Sequence, residues 1–286
     1  MIPNLTMKLR SVFGTVLVFC HAAVAEQPEG KEAPAGWKLV WAEEFDKDGP
    51  PDPERWQHER GFERNHELQW YQPQNSFCKD GVLVIEARRE RMPNPWFKKG
   101  SSSWKTQREH AEYTSGSIIS RREIEFQYGR YEIRARIPVA PGMWPAIWTT
   151  GRDGHWPAGG EIDIMEYYRG MILANFVQAD KQGRPDWNAS EHAIGKFGGP
   201  GWSKEFHIWA MEWSEDRIDL FLNGELLNSH DLTKSFNGNQ PGVNPFRAPH
   251  RFRLNLAVGG QGGDPAAAEF PQRYEVDYVR YFRKAE

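Results

Sequence analysis

The sequence predicts an all-β protein built as a sandwich of antiparallel sheets. Apolar and polar residues alternate in 82–87, 128–137 and 217–222, with many β-branched or aromatic side chains, as in half-buried strands. Asn223-Gly224 follows one of these segments and is a strong signal for a two-residue hairpin turn. No segment keeps a helical period, and only 203–206 and 265–269 suggest short helices. Many strands without a βαβ rhythm favour an antiparallel sandwich.

The N-terminal segment predicts export from the cytoplasm. Lys8 and Arg10 precede an apolar run from Val12 to Phe19, and Ala23-Val-Ala25 has the small-x-small pattern of a cleavage site. We therefore expect a secretory signal peptide at 1–25, a Pro/Gly-rich linker at 26–36 and one catalytic domain at 37–286, located outside the cell or in the periplasm. Met7 as the true start and a lipoprotein anchored at Cys20 are the alternatives.

Composition narrows the possible partners of the mature chain. The formal net charge of the whole chain is -3, and loss of Lys8 and Arg10 with the signal peptide makes it about -5, which gives no indication of nucleic-acid binding. After signal cleavage Cys78 is the only cysteine, so an intramolecular disulfide and a metal–thiolate site are both excluded. We expect a monomer that does not bind the membrane and stands on its hydrophobic core alone.

The segment 161–166 places three acids, Glu161, Asp163 and Glu166, in an otherwise apolar strand. Side chains alternate faces along a strand, so Glu161 and Asp163 point the same way and Glu166 does not. One extra residue near Ile164–Met165, a β-bulge, would bring all three acids to one face. Two carboxyl groups flanking a bond, with a third tuning them, suit glycoside hydrolysis. A solvated edge strand or a set of calcium ligands are the alternative interpretations.

Aromatic residues on both sides of the acidic strand favour a sugar-binding cleft. Trp144, Trp148 and His155-Trp156 lie upstream and Tyr167-Tyr168 downstream, in a chain with 13 tryptophans. Aromatic rings stack on flat apolar faces such as those of sugar rings. His155 is not assigned a catalytic role, since a lone histidine is more often structural.

The chain resembles glycoside hydrolase family 16, in its laminarinase-like branch. The acidic strand matches the bulged Glu-x-Asp-x-x-Glu motif of that family. Further segments resemble the family in the same order along the chain: 39–46, 65–71, 206–213, 218–224, 254–260 and 274–281. The resemblance implies a concanavalin-like β-jelly roll whose concave sheet holds the sugar cleft.

The resemblance also implies roles for individual residues in a retaining mechanism that needs no cofactor. Glu161 is the expected nucleophile, Glu166 the acid/base, and Asp163 the group that hydrogen-bonds the nucleophile and separates the two pKa values. The expected polysaccharide contacts are Trp144, Trp148, Asn65, Glu67 and Trp156. Glu44, Gly81 and Asp277 match the positions of a structural calcium site on the convex face.

The substrate is less well defined than the chemistry. A β-1,3-glucan is expected first, but the segment 173–180 departs from the laminarinase pattern. A basic stretch at 88–108, which contains Trp96 and Trp104, would suit sulfate esters or uronates on a galactan, or it is a solvated loop. Agar, porphyran, carrageenan and host glycans therefore stay open. A transglycosylase and a non-catalytic sugar-binding protein are more distant alternatives.

Overall fold

The computed structural model describes residues 33–124, 126–199, 201–236 and 242–285. The predicted signal peptide at 1–25 and most of the linker at 26–36 lie outside these residues and stay predictions. From Ala33 onwards the chain forms one compact unit, whose first strand begins at Trp37. Among the described residues, none of the helices is long and apolar enough to cross a membrane.

Strands make up most of the described chain. In order they are β1 Trp37–Glu43, β2 Trp56–His58, β3 Gln69–Tyr71, β4 Ser76–Lys79, β5 Val82–Ala87, β6 Met92–Pro93, β7 His110–Ala111, β8 Tyr113–Ser115, β9 Ser117–Ser120, β10 Gly129–Arg136, β11 Met143–Gly151, β12 Glu161–Tyr168, β13 Met171–Ala179, β14 Pro185–Ala193, β15 His207–Trp213, β16 Arg217–Leu222, β17 Glu225–Asp231, β18 His250–Val258 and β19 Gln272–Lys284. The helices are α1 Trp104–Gln107 and 3₁₀ turns at Pro73–Asn75, Ile194–Lys196, Trp202–Lys204, Leu232–Lys234, Pro245–Arg247 and Gly260–Gly262.

Two antiparallel sheets form the predicted jelly-roll sandwich. One has seven strands in the order β14-β13-β12-β11-β18-β9-β2, and the other has eight, in the order β17-β16-β15-β10-β19-β5-β4 with β1 beside β19. β3 and β8 form a small parallel pair, and β6 and β7 an antiparallel one. Of the two predicted short helices, 203–206 overlaps a 3₁₀ turn, whereas 265–269 contains only a turn.

The predicted hairpin after residue 222 is confirmed. β16 ends at Leu222, β17 begins at Glu225, and both turn residues have positive φ, 50° at Asn223 and 83° at Gly224. Positive φ at both central positions is the geometry of a type I′ turn, whose twist matches that of the flanking strands. Asn and Gly tolerate this conformation, which is why the dipeptide predicted the turn.

The core between the sheets is dominated by aromatic side chains. The Tyr131 and Tyr281 rings stack with centroids 4.6 Å apart, and Phe126 meets Phe252 edge-on at 4.9 Å. Trp209 on β15 is fully buried, and its indole N–H has no hydrogen-bond partner among the described residues. Trp209 therefore contributes through packing alone, because an unpaired buried N–H adds no stability.

We expect Trp209→Ala to lower the free energy of unfolding by about 3–5 kcal/mol, because it leaves a large cavity. Trp209→Phe should cost clearly less, about 1–2 kcal/mol, since it keeps most of the ring and loses no hydrogen bond. Urea denaturation of both variants measures the difference. Equal losses for Phe and Ala would contradict the assignment of a packing role.

Candidate active site

A β-bulge in β12 brings the three acids to one face of the seven-stranded sheet. The pairing of β12 with β13 shifts register between Asp163 and Glu166. Ile164 and Met165, the two residues between them, are both buried in the core. Glu161, Asp163 and Glu166 all line the cleft on the opposite face. The bulge predicted from the parity of the motif is therefore confirmed at the predicted place.

The cleft has a volume of about 660 Å³ and lies across β11, β12, β13, β14 and β18. All five residues predicted to contact the substrate line it: Asn65, Glu67, Trp144, Trp148 and Trp156. Sequence reasoning missed six further lining residues that matter for its chemistry or shape: Glu59, Arg64, Asn175, Trp187, Arg253 and Asn255. The binding roles of the five predicted residues stay predictions.

The missed residues left little signal in the sequence. Asn255 lies in the segment 254–260 that matched the family, and Asn175 lies in the segment that departed from it, so both could have been singled out. Trp187 is the only large apolar residue of its strand, Pro185–Ala193, so no row of large apolar side chains marked its face. Arg64 and Arg253 are far apart in sequence, and only the fold brings them together.

Glu166 is held by two N–H donors, one on each carboxylate oxygen. Trp144 Nε1 donates to Oε1 at 2.8 Å, and Asn175 Nδ2 donates to Oε2 at 3.1 Å. The backbone N–H of Ser190 donates to Asn175 Oδ1 at 3.2 Å, which fixes the amide orientation. Burial and the charge of Glu161 nevertheless raise the pKa of Glu166 to about 7, against these donors.

Asp163 is the most strongly perturbed of the three acids. Its Oδ2 is buried without a partner among the described residues, and its carboxyl group hydrogen-bonds that of Glu161. Burial and the charges of Glu166 and Glu161 raise the pKa of Asp163 well above its ordinary value. Since a hydrogen bond between two carboxyl groups needs one proton, we assign that proton to Asp163.

The pKa of Glu161 is also raised above its ordinary value, although several neighbouring groups oppose the rise. Burial raises its pKa, while hydrogen bonds from Asp163 and from the Trp156 indole oppose the rise. The positive charges of Arg64 and Arg253 act in the same direction as these hydrogen bonds. The neighbours of Glu161 thus favour its charged form, whereas the pKa of Glu166 lies near neutral pH.

The two arginines form a clamp around Trp148. Their guanidinium carbons lie 5.2 Å (Arg64) and 4.9 Å (Arg253) from the centroid of the indole ring. Glu59 accepts from both arginines, with Arg253 Nη1 at 2.8 Å, and their charges hold its pKa at about 2 although burial raises it. Trp148 Nε1 donates to Asn255 at 2.7 Å. Trp148 is thus a fixed wall of the cleft.

Asn65 and Glu67 reach the cleft from a loop with unusual backbone geometry. Asn65 and His66 both have positive φ, 56° and 54°. The Glu67 carboxylate accepts from Asn65 Nδ2 at 3.3 Å and from Gln69 Nε2 at 2.6 Å, and burial raises its pKa. Arg108 donates to the Glu67 carbonyl at 2.7 Å. These hydrogen bonds tie the loop to the rest of the fold, while Asn65 and Glu67 also line the cleft.

The basic stretch at 88–108 does not line the cleft in the described structure. Arg88 pairs with Glu86, Arg89 donates to backbone carbonyls of 265–268, and Lys105 lies 3.7 Å from Glu63. Together with Trp104, part of the stretch packs on Phe62 and Trp70 in a small second core. Most of its cations are therefore committed to structural contacts.

The residues predicted to bind calcium have other partners. Glu44 accepts from Arg280 at 2.9 and 3.1 Å, and Asp277 forms an ion pair with Arg134. Gly81 precedes β5, which pairs with β19. A cation at this place would compete with two guanidinium groups, and the described residues contain no group of three or more acidic, His or Cys ligands. Calcium binding stays a prediction, to which these residues fit poorly.

Comparisons with known proteins agree with this geometry. The model of glycosyl hydrolases family 16 matches residues 62–280. A beta-glucanase from Rhodothermus marinus is 35% identical over 95% of this chain and 93% of its own. The laminarinase catalytic domain of Thermotoga petrophila, an endo-1,3-beta-glucanase, superposes with a TM-score of 0.72 and 31% identity, covering 87% of this chain and 99% of that one.

A third match comes from work on endo-acting O-glycanases that human gut bacteria express to initiate mucin breakdown. It has a TM-score of 0.80 and 33% identity, and covers 89% of this chain and 93% of that one. A jelly roll with paired carboxyl groups in an open cleft defines a glycoside hydrolase. The chain belongs to glycosyl hydrolases family 16, as the motif predicted.

We expect Trp144→Phe to raise the pKa of Glu166 further above its ordinary value. The substitution keeps an aromatic ring but removes the N–H that stabilises the carboxylate. Titration of the Glu166 side chain by carbon-13 NMR measures the change, with Trp96→Phe as a control outside the cleft. An unchanged or lowered pKa would show that the indole donor does not tune Glu166.

Proposed function

We propose that the protein is a retaining endo-glycosidase that hydrolyses internal β-glycosidic bonds, with a β-1,3-glucan as its first substrate class. The observation that carries the proposal is the unequal environment of two acids on one face of one strand. Glu166, with a pKa raised to about 7, can donate a proton, while two hydrogen bonds and the charges of Arg64 and Arg253 favour the Glu161 anion against the burial that raises its pKa. The open cleft around them suits an internal segment of a chain.

In the first step the Glu161 carboxylate attacks the anomeric carbon. The glycosidic C–O bond breaks as Glu166 gives its proton to the departing oxygen, leaving a covalent glycosyl-enzyme ester on Glu161. Trp144 and Asn175 stabilise the Glu166 anion that forms, because both donate to its oxygens. Asp163 keeps its proton and donates it to Glu161 as a hydrogen bond, which orients the nucleophile.

In the second step Glu166 acts as the base. It takes a proton from a water molecule, whose oxygen attacks the anomeric carbon and breaks the ester bond to Glu161. The product has the same anomeric configuration as the substrate, because the carbon is inverted twice. Glu166 is then protonated again, and Glu161 is again a carboxylate.

The charge of the cleft supports a neutral polysaccharide over a sulfated one. Seven carboxylic acids line it, against two arginines that are both paired with Glu59. A sulfate ester would meet net negative charge in most of the cleft. The committed cations of 88–108 remove the main support for a sulfated galactan. An uncharged host glycan is the second candidate, favoured by the similarity to the structure from the O-glycanase work.

We also propose that the enzyme acts outside the cytoplasm, in the periplasm or beyond the cell. The support is the N-terminal pattern of Lys8 and Arg10, the apolar run at 12–19 and the small-residue site at 23–25. A polysaccharide substrate is found in the same compartments.

The first test is a reducing-end assay on laminarin, mixed-linkage glucan, agarose, porphyran, carrageenan and mucin glycans. We expect the wild-type protein to release sugar from laminarin, and Glu161→Gln to lose at least about a thousandfold of kcat, because it lacks the nucleophile. Asp163→Asn should lose less and alter the pH profile. Release from agarose or mucin glycans alone would replace the glucan assignment, and an active Glu161→Gln would refute the nucleophile.

The mechanism is tested by the stereochemistry and the pH dependence of the reaction. Proton NMR of the first products should show a retained anomeric configuration, whereas inversion would contradict double displacement. Glu166 must be protonated for the first step, so kcat/KM should fall as pH rises above about 7. A rate that stays constant well above this pH would argue against Glu166 as the acid.

A further inference from the structure

The edge strand β14 presents one row of side chains to the cleft. Trp187, Ala189 and Glu191 line the cleft, and the alternate residues face the other way. The latter contact backbone carbonyls of β17: Asn188 Nδ2 donates to Ser229 at 2.9 Å, and Ser190 Oγ donates to Leu227 at 2.8 Å. Because these bonds fix the face of the strand, Trp187 is held toward the cleft.

Trp187 differs from the tryptophans beside the catalytic acids. Trp144 is only 8% exposed and uses its N–H on Glu166, and the ring of Trp148 is covered by two guanidinium groups. Trp187 is 49% exposed and has no aromatic or cationic partner among the described residues. Its exposed apolar ring is therefore available to a ligand, and burial of such a ring is favourable.

The sheet register gives the position of Trp187 relative to Glu161, the proposed nucleophile. It pairs with Val177 on β13, which pairs in turn with Glu161 on β12. Two strand spacings separate Trp187 from the nucleophile, a distance of about 10 Å across the sheet. A ring at Trp187 is thus beyond the sugar that Glu161 attacks but still in the same cleft.

We propose that Trp187, Ala189 and Glu191 form an outer subsite for one further sugar ring of the same polysaccharide chain, and this rests on the proposed function. The apolar face of the sugar stacks on the Trp187 indole, the small Ala189 side chain leaves room beside it, and the Glu191 carboxylate accepts a hydroxyl hydrogen bond. Such a subsite binds chains that span it and does not act on shorter ones.

The test compares Trp187→Ala with Trp96→Ala on a short and a long oligosaccharide of the linkage that the wild type cleaves. Trp96 is a matched control, because it is 47% exposed but does not line the cleft. We expect Trp187→Ala to reduce kcat/KM for the long chain about fivefold to tenfold and to leave the short chain unchanged. Trp96→Ala should alter neither, and thermal unfolding checks that both variants are folded.

Binding to the inactive Glu161→Gln protein separates this subsite from the proposed activity. Calorimetry with the long oligosaccharide should give an affinity about fivefold to tenfold weaker when Trp187→Ala is added. If the wild-type protein binds the long chain but does not cleave it, the proposed activity is wrong. The ratio of affinities with and without Trp187→Ala then still tests the subsite. The subsite would be overturned if Trp187→Ala left the affinity for the long chain unchanged, or if it lowered kcat/KM equally for short and long chains. A wild-type protein that binds none of the chains would also overturn it.

Discussion

The β-bulge at Ile164–Met165 is the constraint on which the active site depends. Without it, the strand that presents Glu161 and Asp163 to the cleft would send Glu166 into the core, where an unpaired carboxylate costs several kcal/mol. The bulge instead puts two consecutive apolar residues on the core face. The same bulge therefore keeps apolar side chains in the core and places all three acids in the cleft.

Three carboxyl groups on one strand cannot all be ionised, and the surroundings decide how the charge is divided. Burial and the neighbouring acids raise the pKa of Asp163 well above its ordinary value, whereas the arginine clamp favours the anion of Glu161. Glu166 lies between these extremes, because burial opposes its two N–H donors. The roles proposed for the two glutamates differ because their environments differ, since the two side chains are chemically identical.

The basic stretch at 88–108 illustrates how composition can mislead about function. Clustered arginines and tryptophans suggested an anionic substrate, yet most of the cations bind carbonyls or acids, and Trp104 packs in a second small core. Arg108 also supports the loop that carries Glu67 into the cleft. The stretch thus supports a loop of the cleft without lining the cleft itself, where acids outnumber arginines.

The sequence alone determined the sandwich class, the hairpin at Asn223-Gly224 and the bulged acidic strand. These features depend on local rules: alternation along a strand, positive φ in a tight turn, and the parity of three acids. The jelly roll and the roles of the acids came from family resemblance. Tertiary structure alone decided which of the other residues meet in the cleft. Arg64 and Arg253 are almost 190 positions apart, and the exposed face of Trp187 is set by hydrogen bonds to β17. Such contacts join distant segments, so no local pattern encodes them.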